Sequence, residues 1–263
     1  MDHPHLQKVL LENRPFRVGH YISKGFEIFG KNLGSFVAFS LLSVLIMSFV
    51  GSVPWVGAWA SKFAMVPVLT AGIYLVAHEV NKGNTVEFGD HFMGFQHLVR
   101  LALAAMAISV ITTAATVPFF IANKGLLEWA WSLTEFSASI SFDSVDDFVA
   151  AYPGFHSWKF LLLLPMIYLA VAYSWTRMFV VFYDLNVWEA MEASRKLISK
   201  NWLTYLLFSI TLAVIGLGGL FGLFIGVFFT YPAMLCINYA AFEDITQLKK
   251  SEREEEYVDI LVK

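Results

Sequence analysis

The chain has 263 residues, 57% of them hydrophobic and only 15% charged, with 18 Lys plus Arg against 21 Asp plus Glu. A soluble globular domain carries about 25% charged residues, and here the charges are missing from long blocks, which points to lipid as the solvent. The net charge of -3 excludes a strongly basic nucleic-acid binder, and the one cysteine, Cys236, excludes an internal disulfide framework or a cysteine-cluster zinc site.

The first 32 residues are polar or amphipathic, and no cleavable signal peptide precedes the first apolar run. Ile22, Phe26, Phe29 and Leu33 recur at helical spacing and predict a short amphipathic helix lying in a membrane interface. A transmembrane helix needs about 20 apolar residues. Residues 33–53, uncharged and followed by Pro54, and 56–77, with only Lys62 inside, predict a first hairpin. Residues 101–122 and 160–183 predict spans three and four. The block 202–242 holds 41 residues without a charge, about twice the bilayer thickness at ~1.5 Å per residue. It must fold back, and Gly216-Leu217-Gly218-Gly219 is the expected turn, so that span five ends near Ile215 and span six starts near Leu220.

Cations lie in the segments before span one, between spans two and three, between four and five, and after six, whereas residues 125–157 carry acids and no Lys or Arg. By the positive-inside rule both termini are expected to be cytoplasmic. The expected layout is one membrane domain, 1–248, with an aromatic, acidic outer loop folded as a cap over 123–158, and a charged cytoplasmic tail, 249–263.

An internal repeat emerges when the segments before the odd spans are compared. Gly25-Phe26 is followed by Lys31, Gly94-Phe95 by Arg100 and Ser194-Arg195 by Lys200, each cation standing just before an apolar run; Lys31-Asn32 and Lys200-Asn201 are the strongest anchors. The even spans carry Pro67, Tyr74 and Glu79, then Pro165, Tyr173 and Arg177, then Pro232, Tyr239 and Asp244. The predicted fold is therefore an all-α polytopic membrane protein of six transmembrane helices, built as three repeats of an interfacial amphipathic helix plus a transmembrane hairpin.

The residues Pro67-Val68-Leu69-Thr70-Ala71-Gly72, Phe92-Met93-Gly94-Phe95, Asp184-Leu185-Asn186 with Glu189-Ala190 and Ser194, and Tyr231-Pro232 carry a resemblance. In them the sequence resembles a poorly characterised bacterial six-span group that includes the membrane domain of some glycerophosphodiester phosphodiesterases. The resemblance implies the six-span architecture and no activity, since the phosphodiesterase of that group is a separate soluble domain.

Three sets of residues are candidate sites. Glu79, Arg177 and Asp244, with Glu243 as an alternative partner, hold equivalent repeat positions and are expected to pair as a cytoplasmic ionic cluster. Gly218, Gly222 and Gly226, four apart, are expected on one face of span six as a packing seam, inside the bundle or against another copy. Pro67, Pro165 and Pro232 are expected to break the even-numbered helices, where a solute or lipid site could lie between them. No catalytic motif, phosphate loop or dinucleotide fingerprint occurs, His91 and His97 lack metal-ligand spacing and read as solvated or headgroup-level, and no cofactor is expected. The expected function is that of a non-enzymatic accessory or scaffold subunit that packs with membrane lipids, with another membrane protein, or with an extracytoplasmic partner at the outer loop. A small-solute or lipid transporter or channel is the alternative.

Overall fold

The computed structural model describes residues 4–12, 14–124, 157–222 and 225–249, and among these every regular element is a helix. The expected outer cap and charged tail lie outside the described residues except at their edges. Four helical stretches are long and apolar enough to cross a membrane: Leu33–Gly51 (α3), Gly57–Lys82 (α4), Phe88–Ala122 and Trp158–Phe182. A fifth arises if Val187–Ser199 (α8) and Trp202–Gly218 (α9), which meet at 100°, count as one bent span. The last helix, Val227–Thr246 (α10), falls short of that measure because Tyr231, Asn238, Glu243 and Asp244 interrupt its apolar run.

The shorter elements are Pro4–Leu11 (α1), Val18–Lys31 (α2), a 3₁₀ segment Phe88–His97 that continues into Leu98–Ala122 (α5), and Leu164–Ala172 (α6) followed by Thr176–Phe182 (α7). The chain forms two compact units, Ala107–Ala170 and the remainder. In the smaller unit the ring of Phe119 on α5 meets Phe160 at 5.5 Å. In the larger one α10 lies at the centre, packed by α2, α3, α4 and α9. Its Phe242 gathers Trp175, Phe179, Phe182 and Tyr183, with Phe179 edge-on at 5.1 Å. Burial divides the apolar helices sharply: the apolar window of α4 is 67% buried, that of α3 22% and that of Phe88–Ala122 only 11%. Apolar surface left uncovered on this scale is what a lipid solvent tolerates and water does not.

Each apolar helix α3, α5 and α9 is preceded by a short element that lies against another helix through a small residue. On α2 a Cβ at Gly25 would stand 2.6 Å from the backbone N of Ile237 on α10, so only glycine permits this approach. In the 3₁₀ segment a Cβ at Gly94 would stand 2.9 Å from the backbone N of Gly72 on α4. On α8 the Ser194 hydroxyl donates to Ala172 O at 2.7 Å and accepts from Trp175 N at 3.2 Å, serving the backbone groups left open where α6 ends and α7 begins. Asn32 and Asn201 turn the chain alike, at φ -140, ψ 43 and φ -129, ψ 41. Each amide N donates three residues back, to Phe29 and Ile198.

Candidate functional site

Thr70, Tyr74 and His78 are four residues apart and share one face of α4. Each reaches α10: Thr70 Oγ1 to Tyr231 OH at 3.3 Å, Tyr74 OH to Asn238 Nδ2 at 3.0 Å, and His78 Nδ1 to Tyr239 OH at 2.7 Å. The Thr70 hydroxyl also donates to Val66 O at 2.7 Å, which uses its only proton, so Tyr231 is the donor in the first of these bonds. Asn238 is the hub, its Oδ1 accepting from Trp175 Nε1 at 3.0 Å and from Tyr205 OH at 3.2 Å, while Ser174 Oγ donates to Tyr205 OH at 2.9 Å. One amide thus ties α4, α9 and α10 to the turn between α6 and α7.

Beside this ladder α3, α4 and α10 enclose a cleft of about 340 Å³. Its wall is almost wholly apolar, with Val44, Met47, Leu69 and Phe228 among the lining residues, and it carries no charged side chain. The polar groups are Ser40, Ser43 and Tyr231. Ser40 donates to Phe36 O at 2.9 Å. Ser43 is only 6% exposed, and among the described residues its hydroxyl has no hydrogen-bond partner, a costly state for a buried donor.

The expected ionic cluster is not assembled. Asp244 is taken by α2 instead, accepting from Arg17 at 2.9 Å and from Tyr21 OH at 2.9 Å. Glu79 accepts from Asn84 Nδ2 at 2.5 Å. Among the described residues neither Arg177 nor Glu243 has an ion-pair partner, and Arg177 lies within electrostatic reach of Tyr74. Docking of α2 places Arg17 and Tyr21 on Asp244, so that its carboxylate is already satisfied, and the helix that carries Arg177 is interrupted between Ala172 and Thr176. The pair at Asp244 raises the Arg17 guanidinium above its ordinary value, and burial, with a smaller contribution from Asp244, pushes the Tyr21 phenol up to about 12.

The glycine seam is also redrawn. Helix α9 runs to Gly218, the 3₁₀ turn Gly219–Gly222 follows, and Gly226 caps α10, so the three glycines belong to three elements and do not share a helix face. A Cβ on Gly218 would meet nothing within 4 Å; the close backbone approach is between Gly219 and Gly226. Of the prolines, Pro67 and Pro165 each stand second in a regular α-helical stretch, after a π-helical turn and a 3₁₀ segment, while Pro232 lies inside α10. His91, expected to be solvated, is fully buried among Phe36, Phe39 and Phe88.

Two features were missed in the sequence. Phe16, flanked by Arg14 and Arg17, inserts its ring against Tyr21, Tyr205 and Phe208 at 4.9, 5.7 and 5.2 Å, and Lys200 and Asn201 fasten that segment by donating to Glu12 O and Arg14 O. A lone phenylalanine within a basic stretch was the available signal. Arg100 grips the turn before α8, donating to Asp184 O at 3.1 Å and to its carboxylate at 2.5 Å. Among the described residues no group of His, Cys, Asp and Glu could hold a metal ion. Comparison with family models, curated proteins and solved structures gives no match.

Proposed function

We propose that this chain is a non-enzymatic protein of a bacterial cytoplasmic membrane that crosses it six times, with both termini cytoplasmic. It acts as an accessory or scaffold subunit by packing with lipid or with other membrane proteins, and its resemblance to the membrane domain of glycerophosphodiester phosphodiesterases implies the six-span architecture. The carrying observation is the cyclic order of the small-residue clamps. Gly94 of the second interfacial segment rests on the even span of the first repeat at Gly72, and Ser194 of the third on that of the second at Ala172 and Trp175. Gly25 of the first rests on that of the last at Ile237. Each repeat holds the one before it, and the ring closes. The matching turns at Asn32 and Asn201 support the same division.

The interfacial elements present Phe26, Phe88, Phe95 and Trp188 to the surroundings, the residue types that engage lipid at headgroup level. Reporter fusions after Gly83, Glu192 and Lys250 are expected to read cytoplasmic, and those after Asp146 and Gly218 external; an external signal at Glu192 overturns the six-span reading. Gentle purification with identification of what copurifies then tests the role, a stoichiometric membrane-protein partner being the expected result. A lipid carrier is the second reading, favoured by the cleft, whose lining residues Val66 and Tyr231 adjoin Pro67 and Pro232.

A further inference from the structure

We propose that the cleft between α3, α4 and α10 binds an uncharged lipid alcohol, its hydroxyl accepting from Ser43 and donating to Tyr231. The inference rests on the membrane reading above and names the class of lipid engaged.

The wall sorts the candidates. Ser43 stands eleventh of the 19 residues of α3, so at ~1.5 Å per residue it lies about 15 Å from the start of the helix and about 12 Å from its end, near the bilayer centre. A phosphate or a charged headgroup is excluded at that depth by cost and by the absence of any cation among the described lining residues. A plain hydrocarbon chain would fill the space and leave the buried Ser43 hydroxyl as unpartnered as it is now.

The polar groups present are one free donor and two used donors with spare lone pairs. Ser43 has its proton to give, and rotation about χ1 between staggered positions is enough to turn it. Tyr231 has spent its proton on Thr70, and Ser40 has spent its own on Phe36 O, so both can only accept. A ketone or quinone accepts but cannot donate, and so matches Ser43 alone. A hydroxyl does both. The volume of about 340 Å³ equals roughly eleven groups the size of a water at ~30 Å³ each, enough for the hydroxyl and about ten carbons. The remaining chain would leave past Val44, which is 48% exposed. Two sources share this chemistry, an isoprenoid alcohol and a diacylglycerol.

The test uses the full chain in nanodiscs of phosphatidylethanolamine and phosphatidylglycerol, with diazirine-bearing farnesol and diazirine-bearing diacylglycerol as separate probes. Photolabelling of the wild type is expected at Met47 and Phe228 well above that at Leu207, an exposed residue of α9 that reports ordinary lipid contact. Whichever probe labels identifies the source. Unlabelled farnesol should compete about tenfold better than its methyl ether, Ser43→Ala should reduce labelling about fivefold, and Leu69→Trp should abolish it. Should Leu69→Trp fail to elute as a single species, Val44→Trp blocks the mouth instead. Equal competition by alcohol and ether, or cleft labelling no greater than at Leu207, overturns the proposal. Loss of labelling at Leu207 as well shows instead that the membrane reading has failed.

Discussion

Replacing Gly25 by Ala isolates the contact that closes the ring. Helix α2 contains three glycines, and only one is needed for packing: a Cβ at Gly19 or Gly30 would meet nothing within 4 Å, while at Gly25 it would overlap Ile237 at both backbone and side chain. Exchange of Gly for Ala in a helix interior gains about 1 kcal/mol in propensity, and that gain is common to Gly25 and Gly30, so it cancels in the comparison. What remains is overpacking against a backbone that cannot rotate aside, about 1–3 kcal/mol. For a chain of this size 1 kcal/mol moves Tm by about 2–4 °C, so Gly25→Ala is expected to melt about 2–12 °C below Gly30→Ala in the same detergent, with Gly30→Ala at or above wild type. Thermal unfolding followed by size-exclusion of a fluorescent fusion reads the difference. If the two variants melt within about 1 °C of each other, α2 does not rest on α10 at this point, and the cyclic clamping argument fails with it.

Asn238→Leu leaves the Trp175 indole N–H and the Tyr205 hydroxyl without their acceptor. A loss of about 2–4 kcal/mol is expected in graded unfolding with dodecyl sulfate, and Asn238→Gln should recover part of it. A double-mutant cycle on Arg17→Gln and Asp244→Asn should give a coupling of about 0.2–1 kcal/mol, whereas Glu79→Gln with Arg177→Gln should be additive within about 0.5 kcal/mol. Glu27 is bracketed by Lys31 at 2.8 Å and Lys24 at 3.0 Å, and those bonds hold its carboxyl down at about 2 against an ordinary 4.5. A lowered carboxyl contributes its stability in full above pH 4.5 and loses it as pH falls toward 2. Carboxyl NMR should place the midpoint near 2, and Glu27→Gln should flatten that part of the acid limb.

The helices were legible from the sequence because their signals are local. The pairs Lys31-Asn32 and Lys200-Asn201 mark two turns of nearly equal geometry, and α3 and α9 begin one residue after each asparagine. The start of α10 was misplaced by seven residues, at Leu220 instead of Val227, because a run of glycines does not say which pair makes the close approach. The ionic cluster failed for a different reason. Equal spacing along three segments does not say which side chains meet across helices, and Asp244 and Glu79 bond to Arg17, Tyr21 and Asn84 instead of Arg177. Asp244 found its partner 227 positions away, on an amphipathic helix whose docking site no pattern around Arg17 announces. The cleft was approached only through the prolines; Ser43, a serine within an apolar run, looks in sequence like any residue bonded to its own helix.

The docking of α2 on α10 joins segments 227 positions apart, so α2 is synthesised well before the helix on which it rests. At about 5–20 residues per second, the 227 positions between Arg17 and Asp244 take about 10–45 s to translate. Throughout that time α2 has no helix to rest on, and Tyr21, Ile28 and Phe29, which end up buried, need another cover. On the membrane reading proposed above, an amphipathic helix has one at hand in the membrane interface, where its apolar face would sink among the lipids and Lys24 and Lys31 would stay with the headgroups. The nascent chain can therefore wait there without aggregating, and the release of α10 becomes the event that locks the whole assembly.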